Sequence, residues 1–551
     1  MHFYLLIVLF FSVTSICFGQ NTVGLISYNA NKAFEGYNLL YPLDQPTVFL
    51  LNNCGEIVHT WEDDANMVPG NSAYLLPNGD LVKTKRDRSS QGFITSSGRS
   101  EWVEVRDWDN NLMASFYAND SLQRLHHDIA ITDRNTVLMI IWDLKSMDEC
   151  IAAGKDTSQM QDDVILSEKI VEWDYKTDSI VWEWRVWDHL VQDFDSTKAN
   201  YGRVALKHER IHVNRFTAQG DQDWLHFNSI DYDAERDLIL ISVPFFHEAW
   251  VIDHSTTTEE ASSSNGGNSG HGGDLLYRWG NPYSYQAGSL NDKKLFLQHD
   301  VNWIDDFISK DDIHYKNIIA YNNRVGADFS TVNIWDPGYI ESTNNFLLLD
   351  GLYQPDFFDR TIYHPDTTQL NSRTISGAQY LPNGNVLICA GRKGYSFEIT
   401  PENEIVWEYI TPMRNGFSVY QGDVLSGYPN STFKIRRYPS NYPAFVGADL
   451  LPKGTIELGP NIGFCDELTE TTNIDQKEKY VKSFPNPADD LLKIVMSGDE
   501  ERVEIRNILT ELVWSSTTAD KYITINTTNW ENGVYVLIVN RETIHKFVVS
   551  H

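Results

Sequence analysis

The chain has 551 residues, enough for several small domains or one large ring of repeats, with 76 acidic against 44 basic residues and a formal net charge of −32. Such a field repels nucleic acids and anionic membranes, and no long basic cluster offsets it. No P-loop, Rossmann glycine fingerprint or HExxH motif occurs, so nothing points to a nucleotide cofactor or a zinc-protease centre, and no cofactor or metal is called for. The acidic pairs Asp305-Asp306 and Asp311-Asp312 read as solvated loop faces, with a calcium site the minor alternative.

Residues 3–13, FYLLIVLFFSV, form an apolar run too short to span a bilayer, followed by the compact SICFGQN. Residues 1–19 therefore read as a signal peptide, and no later stretch approaches a transmembrane length. Cys54, Cys150, Cys389 and Cys465 remain after cleavage. An oxidising destination permits disulfides, the spacings fit no zinc pattern, and the pairing stays open. Cys389, inside an apolar strand, reads as a buried thiol.

From there a unit repeats. VFLLNNCGEIVHTWED (48–63) is an incomplete copy, SAYLLPNGDLVKTKR (72–86) echoes the first half of the unit, and SEWVEVRDWDNNLMASFY (100–117) is a copy of its own. KIVEWDYKTDSIVWEWRVW (169–187) is another, as is AWVIDHS (249–255) with GGDLLYRWG (272–280) beyond a Ser/Gly-rich insert. Lys316–Asp359 is a divergent copy. The clearest is SGAQYLPNGNVLICAGRKGYSFEITPENEIVWEYITP (376–412), in which Asn-Gly supplies the positive φ of a tight hairpin turn. A four-strand unit with Trp near the end of its last strand is the mark of a β-propeller, and the ring must close because each unit buries its face only against its neighbours. The fold expected over residues 20–465 is an all-β, six-bladed β-propeller. TFKIRRYP (432–439) begins the blade that the N-terminal half-unit completes.

ELTETTNIDQKEK lacks apolar period and reads as a linker over 466–479. Beyond it, YVKSFPNPADDLLKIVM, RVEIRNILTELVW, KYITINTTNW and ENGVYVLIVNRETIHKFVVSH form a compact β-sandwich over 480–551. Phe484-Pro485-Asn486-Pro487-Ala488, the LLKI strand, Asn532-Gly533-Val534-Tyr535-Val536 and the final HKFVV resemble the type A sorting domain of the type IX secretion system. That resemblance implies export through the periplasm, the secretion machinery as a partner, and a secreted or cell-surface destination.

A propeller carries its site where the innermost strands meet the central channel. His127 in LHHDIAITDRNTVLMIIW, His226 in WLHFNSIDYDAERDLILIS and His299 in FLQHDVNWID each precede an apolar strand, so equivalent positions in three blades aim imidazoles at one axis.

The series HHDI, HFNSI, RWG, QHD and SGAQYLPNGNVLI, over residues 70–460, resembles the bacterial arylsulfate sulfotransferases. The resemblance implies transfer of a sulfuryl group from an aryl sulfate donor to a phenolic acceptor, through a histidine nucleophile and without a nucleotide sulfate. On this pattern His226 and His299 match family histidines and Arg324 the arginine that grips the sulfate. Asn228 supports His226, His127 orients the substrate, and Arg392 is a further anion contact. The chain departs from the family where a histidine precedes the Phe of a last-blade strand, since Gly391-Arg392-Lys393-Gly394-Tyr395-Ser396-Phe397 puts Tyr395 there. Three readings follow: another histidine attacks, Tyr395 acts or assists, or transfer has been lost and anion binding kept. The alternative function is a non-catalytic secreted propeller that binds an anionic ligand or a protein partner at the cell surface.

Overall fold

A computed structural model describes residues 21–90, 92–215, 222–471, 481–484, 488, 490–496, 501–507, 511–518, 522–539 and 543–551. The signal-peptide region and the Pro485-Asn486-Pro487 element lie outside the described residues. The chain divides into two compact units, Met1–Glu470 and Thr471–His551.

The first unit is built from six antiparallel sheets taken in chain order. Blade 1 sets the closing strand Thr432–Pro439 beside Gly36–Pro42, Thr47–Leu51 and Ile57–Glu62. Blade 2 runs from Met67 to Tyr117, blade 3 from Gln123 to Arg185, and blade 4 from Ser229 to Trp279. Blade 5 runs from His299 to Ile362 and blade 6 from Gly377 to Ile410. Gly24–Tyr28, absent from the repeat pattern, adds a fifth, outermost strand to blade 6 by pairing with Ile405–Ile410. Both ends of the repeat region thus stitch the ring.

Local chemistry sets the hairpins. Gly79, Asn135, Asp237 and Gly384 take positive φ in the turn between first and second strands, and Gly55, Asn110, Asp178 and Asn403 do so between third and fourth. Gly, Asn and Asp reach that conformation at the least cost. The alternating strands then bury their two faces against two neighbours, giving six apolar cores, one at each junction between consecutive blades, including blade 6 against blade 1.

The recurrent tryptophans are the wedges. The indole N–H of Trp61 donates to Asp107 in blade 2, Trp184 to Gly273 in blade 4, Trp279 to Pro355 in blade 5 and Trp407 to Asn53 in blade 1. Each ring fills a junction while its one polar atom finds a carbonyl in the next blade, the arrangement a buried indole requires.

A helix, Phe464–Thr471, occupies the start of the stretch expected as a linker, and residues 472–480 lie outside the described residues. Phe464, Cys465 and Leu468 pack on the junction of blades 6 and 1, and a disulfide joins Cys54 to Cys465. Cys150 and Cys389 are buried free thiols.

The second unit holds two antiparallel sheets, with strands from Val481, Leu491 and Tyr522 in one and strands from Leu512, Glu501, Gly533 and Thr543 in the other. Leu492, Ile494, Val503, Ile505, Ile525, Leu537, Phe547 and Val549 form its core.

Candidate active site

The innermost strands of blades 3, 4 and 5 bring His127, His226 and His299 to one place. Lys434, from the closing strand, fixes the level on the axis: its Nζ lies 2.8 Å from Asp128 and 2.9 Å from Asp300, the residues following His127 and His299. The Tyr74 hydroxyl of blade 2 donates to the same Asp128 at 2.9 Å. Burial opposes the charge on Lys434, but the two carboxylates outweigh it and raise its pKa well above the ordinary lysine value.

His127 and His226 meet edge to face at 4.6 Å, and the face of His226 stacks on Phe245. Both histidines hold the left-handed backbone region, at φ +49° and +59°. Positive φ is uncommon for any residue but glycine, with Asn, Asp and His the most frequent exceptions. The cradle is tight. Gly98 sits so close that a Cβ on it would lie 2.0 Å from the His127 ring.

Each imidazole is oriented through Nδ1. His226 Nδ1 lies 2.5 Å from the Asp223 carboxylate, which also accepts from the Ser96 hydroxyl. With Nδ1–H given to a carboxylate, Nε2 keeps its lone pair. His299 Nδ1 lies 2.9 Å from Asn323 Oδ1, and Asn323 Nδ2 donates to Ser372 and Ser376, so the amide oxygen must face the ring. His299 therefore also carries its proton on Nδ1. Burial presses its pKa down to about 4, against the hydrogen bond to Asn323, which raises it.

His127 is served by a buried chain. Its Nδ1 lies 2.8 Å from His126 Nδ1, and His126 Nε2 lies 2.7 Å from Glu168 of the third strand of blade 3. His126 stacks on Trp142 and is fully buried. Burial, then the nearby Asp223, pushes the Glu168 carboxyl well above the usual carboxylate range, and burial first holds both His126 and His127 well below the ordinary histidine value. Two proton arrangements fit these distances. Either Glu168 is ionised and His127 Nε2 is bare, or Glu168 is protonated and His127 Nε2 bears the proton.

Arg324 stands beside this cluster. It follows Asn323, its backbone N–H donates to Phe296, and its Nε donates to the Arg373 carbonyl at 3.1 Å. Among the described residues Asn228 Oδ1 has no hydrogen-bond partner, His226 included. Its Nδ2 donates to the Gln298 carbonyl at 2.8 Å, tying the innermost strand of blade 4 to that of blade 5.

Tyr395 and Arg392 belong elsewhere in the ring. Tyr395 opens the third strand of blade 6, two strands out from the axis, and its hydroxyl donates to Glu408 at 2.6 Å with His364 Nε2 at 3.1 Å. Burial and the Glu408 charge raise its pKa far above the ordinary tyrosine value, opposite to what a nucleophilic phenolate needs. It lines a separate cavity of ≈ 520 Å³ with Glu408, Ile410, Leu425 and Pro429. Arg392 is exposed and covers the Tyr428 ring.

On the axis near Lys434 lies a cavity of ≈ 550 Å³ with Tyr74, Asp231, Asp300, Asp305 and Arg436 in its wall. Asp305 pairs there with Lys316 at 2.7 Å, so it is a packed ion pair rather than part of a solvated loop face. Among the described residues no cluster of three or more His, Cys, Asp or Glu is placed to hold a metal ion.

The sequence did not single out His126, Glu168, Asp223 or Asn323. The His126-His127 doublet and the three-residue step from Asp223 to His226 were the available signals.

A closed six-bladed ring with imidazoles gathered on its axis defines a propeller with a polar channel site. The chain belongs to the arylsulfotransferase family, whose match spans residues 76–419. Residues 482–550 match the secretion system C-terminal sorting domain, which marks the protein for the type IX machinery and for secretion or the cell surface. The family implies small-molecule substrates, and among the described residues no helix is long and apolar enough to cross a membrane. No curated protein matches the chain. Among solved structures it is similar to a Bacteroides caccae protein of unknown function at 11% identity and TM-score 0.40, covering 73% of this chain and 100% of that one. A functionally unknown Desulfotomaculum acetoxidans protein shows 10% identity and TM-score 0.33, over 73% and 98% of the two chains. The WD40 domain of Toxoplasma gondii coronin shows 10% identity and TM-score 0.32, over 71% and 74%.

Proposed function

We propose that the protein transfers a sulfuryl group from an aryl sulfate donor to a phenolic acceptor, with His226 as the nucleophile. The observation that carries this reading is the Asp223 carboxylate 2.5 Å from His226 Nδ1, which leaves Nε2 free to attack and offsets the charge the ring gains. Nε2 bonds to sulfur as the S–O bond to the phenol breaks, leaving the sulfuryl group on His226. Arg324 offers paired N–H donors to the sulfate oxygens, a planar match to that anion.

The leaving phenolate needs a proton, and the chain behind His127 supplies one. With Glu168 protonated, His127 Nε2 gives its proton to the departing oxygen. His126 Nδ1 passes its own to His127, and Glu168 passes its own to His126. The raised pKa of Glu168 favours that resting state. When the acceptor phenol enters, the sequence reverses. Its proton runs down to Glu168, its oxygen bonds to sulfur, and the S–N bond breaks. His299, its pKa lowered by burial to about 4, stays uncharged beside this pair of histidines.

The test is turnover by the purified full chain of 4-methylumbelliferyl sulfate with phenol, without added nucleotide, followed as released fluorophore and as phenyl sulfate formed. Transfer that vanishes in His226→Ala, with circular dichroism unchanged, supports the reading. Absence of both turnover and histidine dependence gives way to the non-catalytic, anion-binding propeller, the reading that Tyr395 at the family histidine position favours.

A further inference from the structure

Beside the histidines lies a second group of cations that transfer of a single sulfate does not use. The segment Phe296–His299 anchors it. Lys293 Nζ sits over the Phe296 ring at 4.6 Å, Arg324 N–H donates to the Phe296 carbonyl at 3.0 Å, and Leu297 N–H donates to His247 Nδ1 at 3.0 Å. Because His247 accepts at Nδ1, its proton is on Nε2, a further donor. Arg373 adjoins Arg324 through its carbonyl, and Arg215 lies over the Tyr283 ring at 5.1 Å. The buried Nε of Arg215 has no hydrogen-bond partner among the described residues.

None of Arg215, Lys293, Arg324 and Arg373 has a carboxylate ion-pair partner among the described residues, in a chain where acids outnumber bases 76 to 44. The contrast with the rest of the axis is sharp: Lys434 has Asp128 and Asp300, and Lys316 has Asp233 and Asp305. The cations also feel one another. After burial, Arg373 lowers Arg324, Arg215 lowers Lys293, and Lys293, Arg215 and Arg324 together hold His247 down to about 3. The carboxylate whose charge reaches Arg215, Glu248, is already paired with Arg278, and like charges kept together with no ion-pair partner of their own are a standing cost that a bound anion relieves. One aryl sulfate carries a single negative charge, and Arg324 answers it.

We propose that Arg215, Lys293, Arg373 and the Nε2–H of His247 form a subsite for a second anionic group on the sulfate donor, a carboxylate or a further sulfate carried by its aryl part. This rests on the transfer reading above, and it narrows the donor class from aryl sulfates in general to those with at least two negative groups.

The test compares kcat/KM of the full chain for phenyl sulfate, 4-carboxyphenyl sulfate and benzene-1,4-bis-sulfate, with one acceptor held in excess. A preference of about tenfold or more for either doubly charged donor is expected, shrinking as salt is raised because screening weakens exposed charges. The two doubly charged arms tell a carboxylate subsite from a sulfate one. In Arg373→Gln and in Lys293→Gln the ratio of doubly to singly charged donor should fall toward one, a change that a general loss of folded protein does not produce. Equal turnover of all three donors overturns the proposal while leaving transfer intact. So does a preference that survives both substitutions. If no donor is turned over, calorimetric binding decides: equal affinity for phenyl sulfate and 4-carboxyphenyl sulfate overturns the subsite, and tighter binding of the latter, lost in Arg373→Gln, upholds it.

Discussion

The imidazole of His127 and that of His226 meet at 4.6 Å, yet each is held by a different carboxylate, Glu168 through His126 for the first and Asp223 directly for the second. On the proposed transfer, two rings of one chemical type take opposite tasks, proton carrier and nucleophile, by what lies behind them.

That division has a kinetic signature. Glu168→Gln keeps a hydrogen-bonding side chain against His126 but removes the site that stores the proton. Transfer from a donor with a poor leaving group should fall about 10- to 100-fold in kcat, the range general acid–base catalysis supplies. A nitrophenyl sulfate, whose leaving oxygen needs little help, should be far less affected. Steady-state rates across a series of substituted phenyl sulfates measure the difference.

Gly98→Ala tests the fit around His127. A methyl there would lie 2.0 Å from the ring, and the backbone has φ +80°, so both crowding and strain oppose it. Loss of at least tenfold in kcat/KM is expected, with a modest drop in melting temperature. Thermal denaturation alongside kinetics separates the two effects.

Burial lowers the pKa of His299 to about 4, against an unfolded value near 6.5. A histidine kept neutral in the fold contributes stability that is whole above the unfolded pKa and is lost as pH falls toward the folded one. At pH 5 the loss amounts to about 2 kcal/mol from this residue. His299→Gln, which keeps a hydrogen bond to Asn323 but cannot titrate, should flatten the fall in stability between pH 7 and 5. Denaturant midpoints at several pH values give the comparison.

Lys434→Met leaves Asp128 and Asp300 buried without their shared cation. Breaking a buried pair by removing one partner costs about 3–5 kcal/mol. The variant should recover part of the loss at lower pH, where the two carboxyls can take up protons. A denaturant titration at pH 8 and pH 5 distinguishes this from simple loss of packing.

The repeat was legible because the blades share a local rule, a turn residue tolerant of positive φ between alternating strands and, in blades 1, 3, 4 and 6, an indole in the last strand. The closing strand was legible for the same reason. Gly24–Tyr28 was not, because an outermost strand with no hairpin partner in sequence carries no turn signal. His127, His226 and His299 could be picked out because strand starts recur in register. Glu168 could not. In SEKIVEWD it looks like the polar phase of an alternating strand, and only the sheet itself shows it facing His126 two strands away, with the Phe227 N–H of blade 4 on its other oxygen. Tyr395 was matched by position along the chain, whereas its distance from the channel is decided by its being in the third strand of its sheet.

The innermost strand of blade 1 is drawn from residues 432–439, nearly the last of the ring to leave the ribosome. A chain delivered N-terminus first therefore spends most of its synthesis as an open crescent, with the apolar flank of its first sheet bare. Circularisation, and with it the meeting of Lys434 with Asp128 and Asp300, is the final act of assembly, so a truncation before Thr432 should yield neither a sealed wheel nor a formed channel.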